Sequence, residues 1–289
     1  MSDGPNVNVD LGALAKPADT FIKKISKGMG GMFAEGLATR EAKAEVERAK
    51  GEVLAEIVRA KGEIAVKEIH QRAAYRFVEE QALHQLNMES IAAQAVPLLT
   101  NDAEPEKVDD DWVTNFWDKS RIVSDEEMQA LWAKVLAGEA NKPGSFSKRT
   151  IHLLAEMDRN DAALFANLCR FAWKIQELIP LVLNGRSEVY IQNGMGAKEL
   201  MHLESIGLIR LADHAGGTRH GLSKFMEIEY GEKSLTLQLS PESNYGMEIG
   251  RAQFTKSGLE LAVFCETGGV PNFFEYVKEK WKRYLAPRE

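Results

Sequence analysis

Residues 48–69 repeat with an eleven-residue period, the first five positions identical: Arg48-Ala-Lys-Gly-Glu-Val-Leu-Ala-Glu-Ile-Val58 followed by Arg59-Ala-Lys-Gly-Glu-Ile-Ala-Val-Lys-Glu-Ile69. Eleven residues make three helical turns of about 3.67 residues, so this repeat holds one stripe on one face of a nearly straight helix, whereas a heptad repeat would wind left-handed. Val46, Ala49, Val53, Ile57, Ala60 and Ile64 form the stripe, at spacings of three, four, four, three and four. An apolar stripe this long needs a cover. The sequence therefore predicts a coiled-coil-like helix over 39–100 that holds a homo-oligomer together through these six residues.

The charges agree. Residues 39–85 carry nine Lys/Arg and nine Asp/Glu, with Glu63 four before Lys67 and Glu68 four before Arg72. Each pair adds only about 0.2–0.5 kcal/mol, but together they support a long exposed helix. Gly51 and Gly62 occupy the same slot of the two repeats, where glycine costs about 1 kcal/mol of helix propensity. Close approach of two backbones is a reason to keep them.

Ahead of the repeat, residues 1–38 form an amphipathic N-terminal segment. Phe21, Ile22, Ile25, Met29, Met32 and Phe33 recur at helical spacing, while Lys23, Lys24 and Lys27 fall towards the other side. Such a helix suits either a membrane interface, with those six residues meeting inner-membrane lipid, or packing on the protein's own body. No stretch approaches the ~20 apolar residues that cross a bilayer, and the N-terminus has no secretory signal pattern. The expected location is cytoplasmic, with peripheral attachment to the inner membrane open.

After Pro97, residues 101–111 read as an acidic linker. The window 101–127 holds ten acids against three bases, which accounts for the whole net charge of −7. The balanced remainder argues against a nucleic-acid surface. Residues 112–180 read as a compact helical domain. Ser124 is the expected N-cap of a helix that runs through Met128, Leu131, Trp132, Val135 and Leu136 to Gly138. Pro143-Gly144 turns the chain, Ser147 caps a helix, and Asp161 caps a longer one through Leu164, Leu168, Phe171 and Trp173.

Residues 181–289 change in style. Glu188–Ile191, Phe225–Tyr230, Leu235–Leu239 and Ala252–Thr255 read as strands, and Ala197–Ile206, Ser257–Phe264 and Phe273–Tyr284 as helices. A short helix, antiparallel strands and then Thr255-Lys-Ser-Gly258 opening another helix suggest a small α+β winged-helix-like domain. Lys198 is balanced by Glu199 and Glu204 in the would-be recognition helix, so a protein is a better partner than DNA. The fold class expected for the whole is mainly α.

The usual chemical constellations are missing: no Gly-x-x-x-x-Gly-Lys, His-Glu-x-x-His, Cys-x-x-Cys or Gly-x-Ser-x-Gly. The histidines are scattered, His214 and His220 flanking a glycine-rich loop without carboxylate or thiolate at ligand spacing. Cys169 and Cys265, far apart in sequence, are expected reduced. No metal, cofactor or catalytic residue is expected, though folding can assemble a site from distant residues.

The run Asp110-Asp-Trp112, Ser124-Asp-Glu-Glu-Met-Gln129, Leu131-Trp-Ala-Lys-Val-Leu-Ala-Gly-Glu139, Pro143-Gly-Ser-Phe-Ser147 and Asp161-Ala-Ala-Leu-Phe165 resembles a bacterial family known only as a domain of unknown function. More distantly it is similar to the Abi-alpha group, linked by name to abortive infection in phage defence. Neither resemblance implies an active site. Two readings follow: an oligomeric, membrane-associated effector or sensor in antiviral defence, or a soluble oligomeric scaffold that binds a protein through its C-terminal domain.

Overall fold

The computed structural model describes residues 11–29, 69–212 and 217–286. The chain is mainly helical, with small antiparallel sheets towards its C-terminal end. It divides into two compact units, with the boundary between Ala155 and Glu156 rather than at residue 180.

The first unit contains α1 (Leu11–Met29), α2 (Ile69–Ala95), 3-10 turns at Val96–Leu98 and Pro105–Lys107, α3 (Asp110–Ser120), α4 (Glu126–Asn141) and α5 (Lys148–Glu156). Side-chain caps start its later helices. Asp109 accepts from the Trp112 N–H at 2.8 Å and Asp125 from the Met128 N–H at 2.9 Å. The cap of α4 is thus Asp125, one residue after the serine expected. The helix also runs past Gly138 to Asn141, because Glu139 and Ala140 are buried and their packing outweighs the glycine. Around Phe116 lie the rings of Trp112, Trp117 and Trp132, all at 5.0–5.2 Å between centroids.

The expected acidic linker is a packed connection instead. Pro105 and Val108 are buried, and the Glu104 N–H donates to the Ala140 carbonyl at 2.9 Å. Asp110 meets Lys24 of α1 at 2.6 Å. Apolar side chains interleaved with the acids, and partners for the carboxylates, override the solvated reading that the charge alone suggested.

The second unit opens with α6 (Arg159–Cys169). Asp158 is its N-cap and Asp161, expected there, sits three residues on, where its carboxylate accepts from the Asp158 N–H in return. Four antiparallel strands follow the order β2-β1-β5-β6, with β1 Ala172–Ile175, β2 Glu177–Pro180, β5 Phe225–Tyr230 and β6 Lys233–Gln238. Two smaller ladders pair β3 (Ile209–Leu211) with β8 (Ala252–Phe254) and β4 (Gly217–Arg219) with β7 (Met247–Gly250). The helices are α7 (Glu188–Ile191), α8 (Ala197–Ser205), α9 (Lys256–Ala262) and α10 (Phe273–Lys280).

Two expectations fail here. Phe171 and Trp173 do not continue a helix; Trp173 lies in β1, its ring stacked on Tyr230 and Phe274 and edge-on to Trp281. These partners come from distant sequence, and burying such a ring outweighs local helix preference. Glu188–Ile191 is a helical turn and not a strand, because Tyr190 alone is anchored in the core, donating to the Leu181 carbonyl at 2.9 Å and accepting from the Leu183 N–H at 3.2 Å.

Candidate functional site

The segments that carried the family resemblance are spent on structure. Glu139 is buried, and its two carboxylate oxygens accept from the N–H groups of Gly144 (2.7 Å) and Phe146 (2.9 Å). The Phe146 carbonyl in turn accepts from the Trp112 indole at 2.7 Å. One carboxylate thereby fixes the Pro143-Gly144 turn, and the turn fixes the start of α3. Gln129, equally buried, donates to Asn87 and to the Val123 carbonyl and accepts from Ser90, tying α4 to α2. Buried polar groups satisfied this fully help to specify a fold.

The membrane-facing expectation for α1 needs correction at two positions. Phe21 and Ile25 are each only 1% exposed, on the side of α1 that meets α3 and the 105–107 turn. Ile22 is half-buried. The side chain of Met29, and all of Met32, Phe33, Val46, Ala49, Val53, Ile57, Ala60, Ile64 and His214, lie outside the described residues. Of the two covers open to this helix, packing on the protein's own body is the one these two side chains have.

Along α2 the described surface changes character. Its C-terminal half buries Leu86, Met88, Ile91, Ala92 and Ala95, in large part against α4. Its N-terminal half leaves Ile69, Phe77 and Val78 at 68, 61 and 65% exposure, with Leu83 at 43%. Sequence reasoning missed these residues. Ile69, Ala73 and Phe77, each four apart, would have shown them as a second stripe, distinct from the one the repeat draws attention to.

In the second unit a cleft of about 250 Å³ opens beside the outer edge of β2. Ile249, Phe254 and Leu259 are among its apolar walls, and Glu177 and Arg219 line it as an ion pair at 2.7 Å. The two charges neutralise one another, so the cleft suits an uncharged, partly apolar group better than an ion. Among the described residues no group of three or more His, Cys, Asp or Glu could hold a metal ion, and no helix is long and apolar enough to cross a membrane.

Burial perturbs titration in the second unit. Desolvation raises the pKa of both Tyr190 and Tyr230. The Cys169 thiol is raised by its hydrogen bond to Cys265 and then by burial. The two cysteines, distant in sequence, are therefore neighbours in the fold, and neither is in a disulfide.

No curated protein and no solved structure matches the chain. The family described as "Protein of unknown function (DUF2806)" matches residues 71–278, which takes in most of the described fold, and the chain belongs to that family.

Proposed function

We propose that this protein acts by association and not by catalysis, as a homo-oligomeric scaffold joined through α2. The observation that carries the reading is the exposed apolar half of α2: three large side chains more than 60% exposed, on a helix whose first residue, Ile69, is the last of the eleven-residue repeat. Leaving them in water forgoes roughly 25 cal/mol for every Å² that a partner helix would cover. Polar residues that could serve chemistry elsewhere are committed to caps and turns, as with Asp109, Asp125, Glu139 and Asp158.

The C-terminal unit supports the partner-binding half of the proposal. We read α7, α8, the β3–β8 ladder and α9 as a winged-helix-like module, in which Thr255 caps α9 by accepting from the Gly258 N–H at 3.0 Å. The outer surface of α8 presents Lys198, Met201 and Glu204, a mixed set suited to a protein surface. The burial of Phe21 and Ile25 favours the scaffold over the membrane effector. The resemblance to the Abi-alpha group offers antiviral defence as the setting, and phage challenge of cells that express the chain scores it.

Light scattering at micromolar concentration tests the core of the proposal. The wild type should run as an oligomer, and Phe77→Glu with Val78→Glu should lower its mass while leaving the circular dichroism spectrum intact. A monomeric wild type, or an oligomer indifferent to these changes, refutes it.

A further inference from the structure

We propose that the outer edge of β2 is a docking slot for an extended, uncharged segment of a partner protein, which adds to it as a short strand. β2 is the terminal strand of the four-stranded sheet, so β1 covers only one of its edges. The Leu181 N–H donates to the Phe171 carbonyl at 3.2 Å, and the register then places Ile179 opposite Trp173 and Glu177 opposite Ile175. Bonded and unbonded pairs alternate along an antiparallel ladder, so Leu178 and Pro180, which lie between these residues, turn their main-chain groups away from β1. Lys174, opposite Leu178, bridges to Glu229 of β5 on its other side, as that alternation requires. The Leu178 N–H and the carbonyls of Leu178 and Pro180 thus lie on the side of the cleft that both residues line.

The same edge is paired a step further along. There the Val182 carbonyl accepts from the Arg251 N–H at 3.0 Å, and Gly250 comes so near that a Cβ on it would lie 2.3 Å from the Val182 oxygen. At the other end Arg219 of β4 meets Glu177 at 2.7 Å. Between these two closures the cleft of about 250 Å³ stays open, with Ile249, Phe254 and Leu259 among its apolar walls. It is a gap in the strand pairing.

The gap sets the chemistry of its occupant. A residue placed opposite Leu178 exchanges both main-chain bonds with it, and the residue two further on donates to the Pro180 carbonyl, while Pro180 has no N–H to give back. Pairing is thereby kept short, which protects an open edge from templating long strands. Glu177 and Arg219, the only charged residues among the described ones that line the gap, neutralise each other, so a neutral segment complements it and a charged one has to break their ion pair. Main-chain bonds supply the affinity, and the apolar walls select an aliphatic side chain. The slot belongs to the second unit and does not depend on the association surface of α2.

The test uses the full-length protein and a heptapeptide of serine and threonine with one central leucine, acetylated and amidated so that it carries no charge. Binding is read by calorimetry and by hydrogen exchange. Without peptide the Leu178 amide should exchange freely while those of Ile179 and Leu181 are protected, and saturating peptide should slow Leu178 by about tenfold or more. N-methylation of the peptide should weaken binding about tenfold at alternate residues only, since every second N–H of an added strand points at β2. Leu178→Pro, which removes a donor that β1 does not use, should weaken binding to the same extent. No binding, N-methylation felt equally at every residue, or acetyl-leucine amide bound as tightly as the heptapeptide would each overturn the proposal. So would a peptide that lowers the mass of the protein in light scattering, because a second copy of this chain would then be the occupant. The N-methyl series on the wild type decides the matter even where the proline variant fails to fold.

Discussion

The two units are each built on a tryptophan-rich core, but they assemble those cores from different distances along the chain. In the first, Trp112, Phe116 and Trp117 lie on a single helix and Trp132 on the next. In the second, Trp173 on β1, Tyr230 on β5, Phe273 and Phe274 on α10, and Trp281 just beyond it converge from far apart. A core of neighbours can form early and needs little loop closure, whereas one drawn from remote segments waits on the whole unit. The first kind leaves its signature in a short window of sequence and the second does not.

The largest expected effect breaks the comparison if it is wrong. Trp132→Ala and Trp173→Ala should each cost about 3–5 kcal/mol, since both rings are fully buried. Hydrogen exchange should then lose protection in α3 and α4 for the first variant, and in β1, β5 and α10 for the second. Protection lost throughout the chain by either one would mean that the two cores are not independent.

Two glycines sharpen the contrast at smaller scale. A Cβ on Gly258 would lie 2.0 Å from the Leu208 carbonyl oxygen, a contact between α9 and the turn before β3. Gly258→Ala must move backbone, and about 1–3 kcal/mol should be lost, at the upper end of that range. Gly144 has φ +86 but nothing within 4 Å of its would-be Cβ, so Gly144→Ala should cost only the conformational penalty of about 1–2 kcal/mol. Denaturant midpoints of the two variants order the effects, and equal losses would remove the distinction.

What the sequence made legible follows the same division. The helices of the first unit were visible in their apolar spacing, and even the misplaced cap at Ser124 missed by one residue, because Ser124 and Asp125 are both good caps and only geometry selects between them. In the second unit, Phe225–Tyr230 was read correctly from local alternation, and the helix expected over Ala197–Ile206 ends one residue earlier, at Ser205. Trp173 was not, since its strand is set by partners that no local window contains. Equally hidden were the meeting of Cys169 with Cys265 and the cleft between β2 and Leu259. The repeat stripe lies outside the described residues, and its attraction obscured the Ile69 and Phe77 face beside it.

Alkaline pH acts on the buried phenols of the second unit. Burial raises the folded-state pKa of Tyr190 and Tyr230 above the unfolded value of about 10, so the native state holds its phenolic protons longer. This contribution is complete below pH 10 and is lost as pH rises through the folded pKa. For Tyr190 the loss runs up to about 1.4 kcal/mol per pH unit. Stability measured from pH 8 to 11 should fall from about pH 9, where the Cys169 thiol of the unfolded chain ionises, and more steeply above pH 10, and Tyr190→Phe, less stable at pH 8, should show a shallower fall above pH 10. An unchanged slope would place the alkaline sensitivity elsewhere.

The smallest effect separates two adjacent residues at the start of α4. Asp125 accepts from the Met128 N–H at 2.9 Å, and the helix begins at Glu126. Its carboxylate therefore satisfies a donor with no partner inside the helix and complements the positive end of the helix dipole. Asp125→Ala should cost about 1 kcal/mol. Ser124→Ala should fall within about 0.5 kcal/mol of the wild type, since Ser124 is exposed and is not the cap. If Ser124→Ala proves the costlier change, the cap moves back to the position that the Ser-x-x-Glu spacing suggests, and local pattern rather than packing sets the start of the helix.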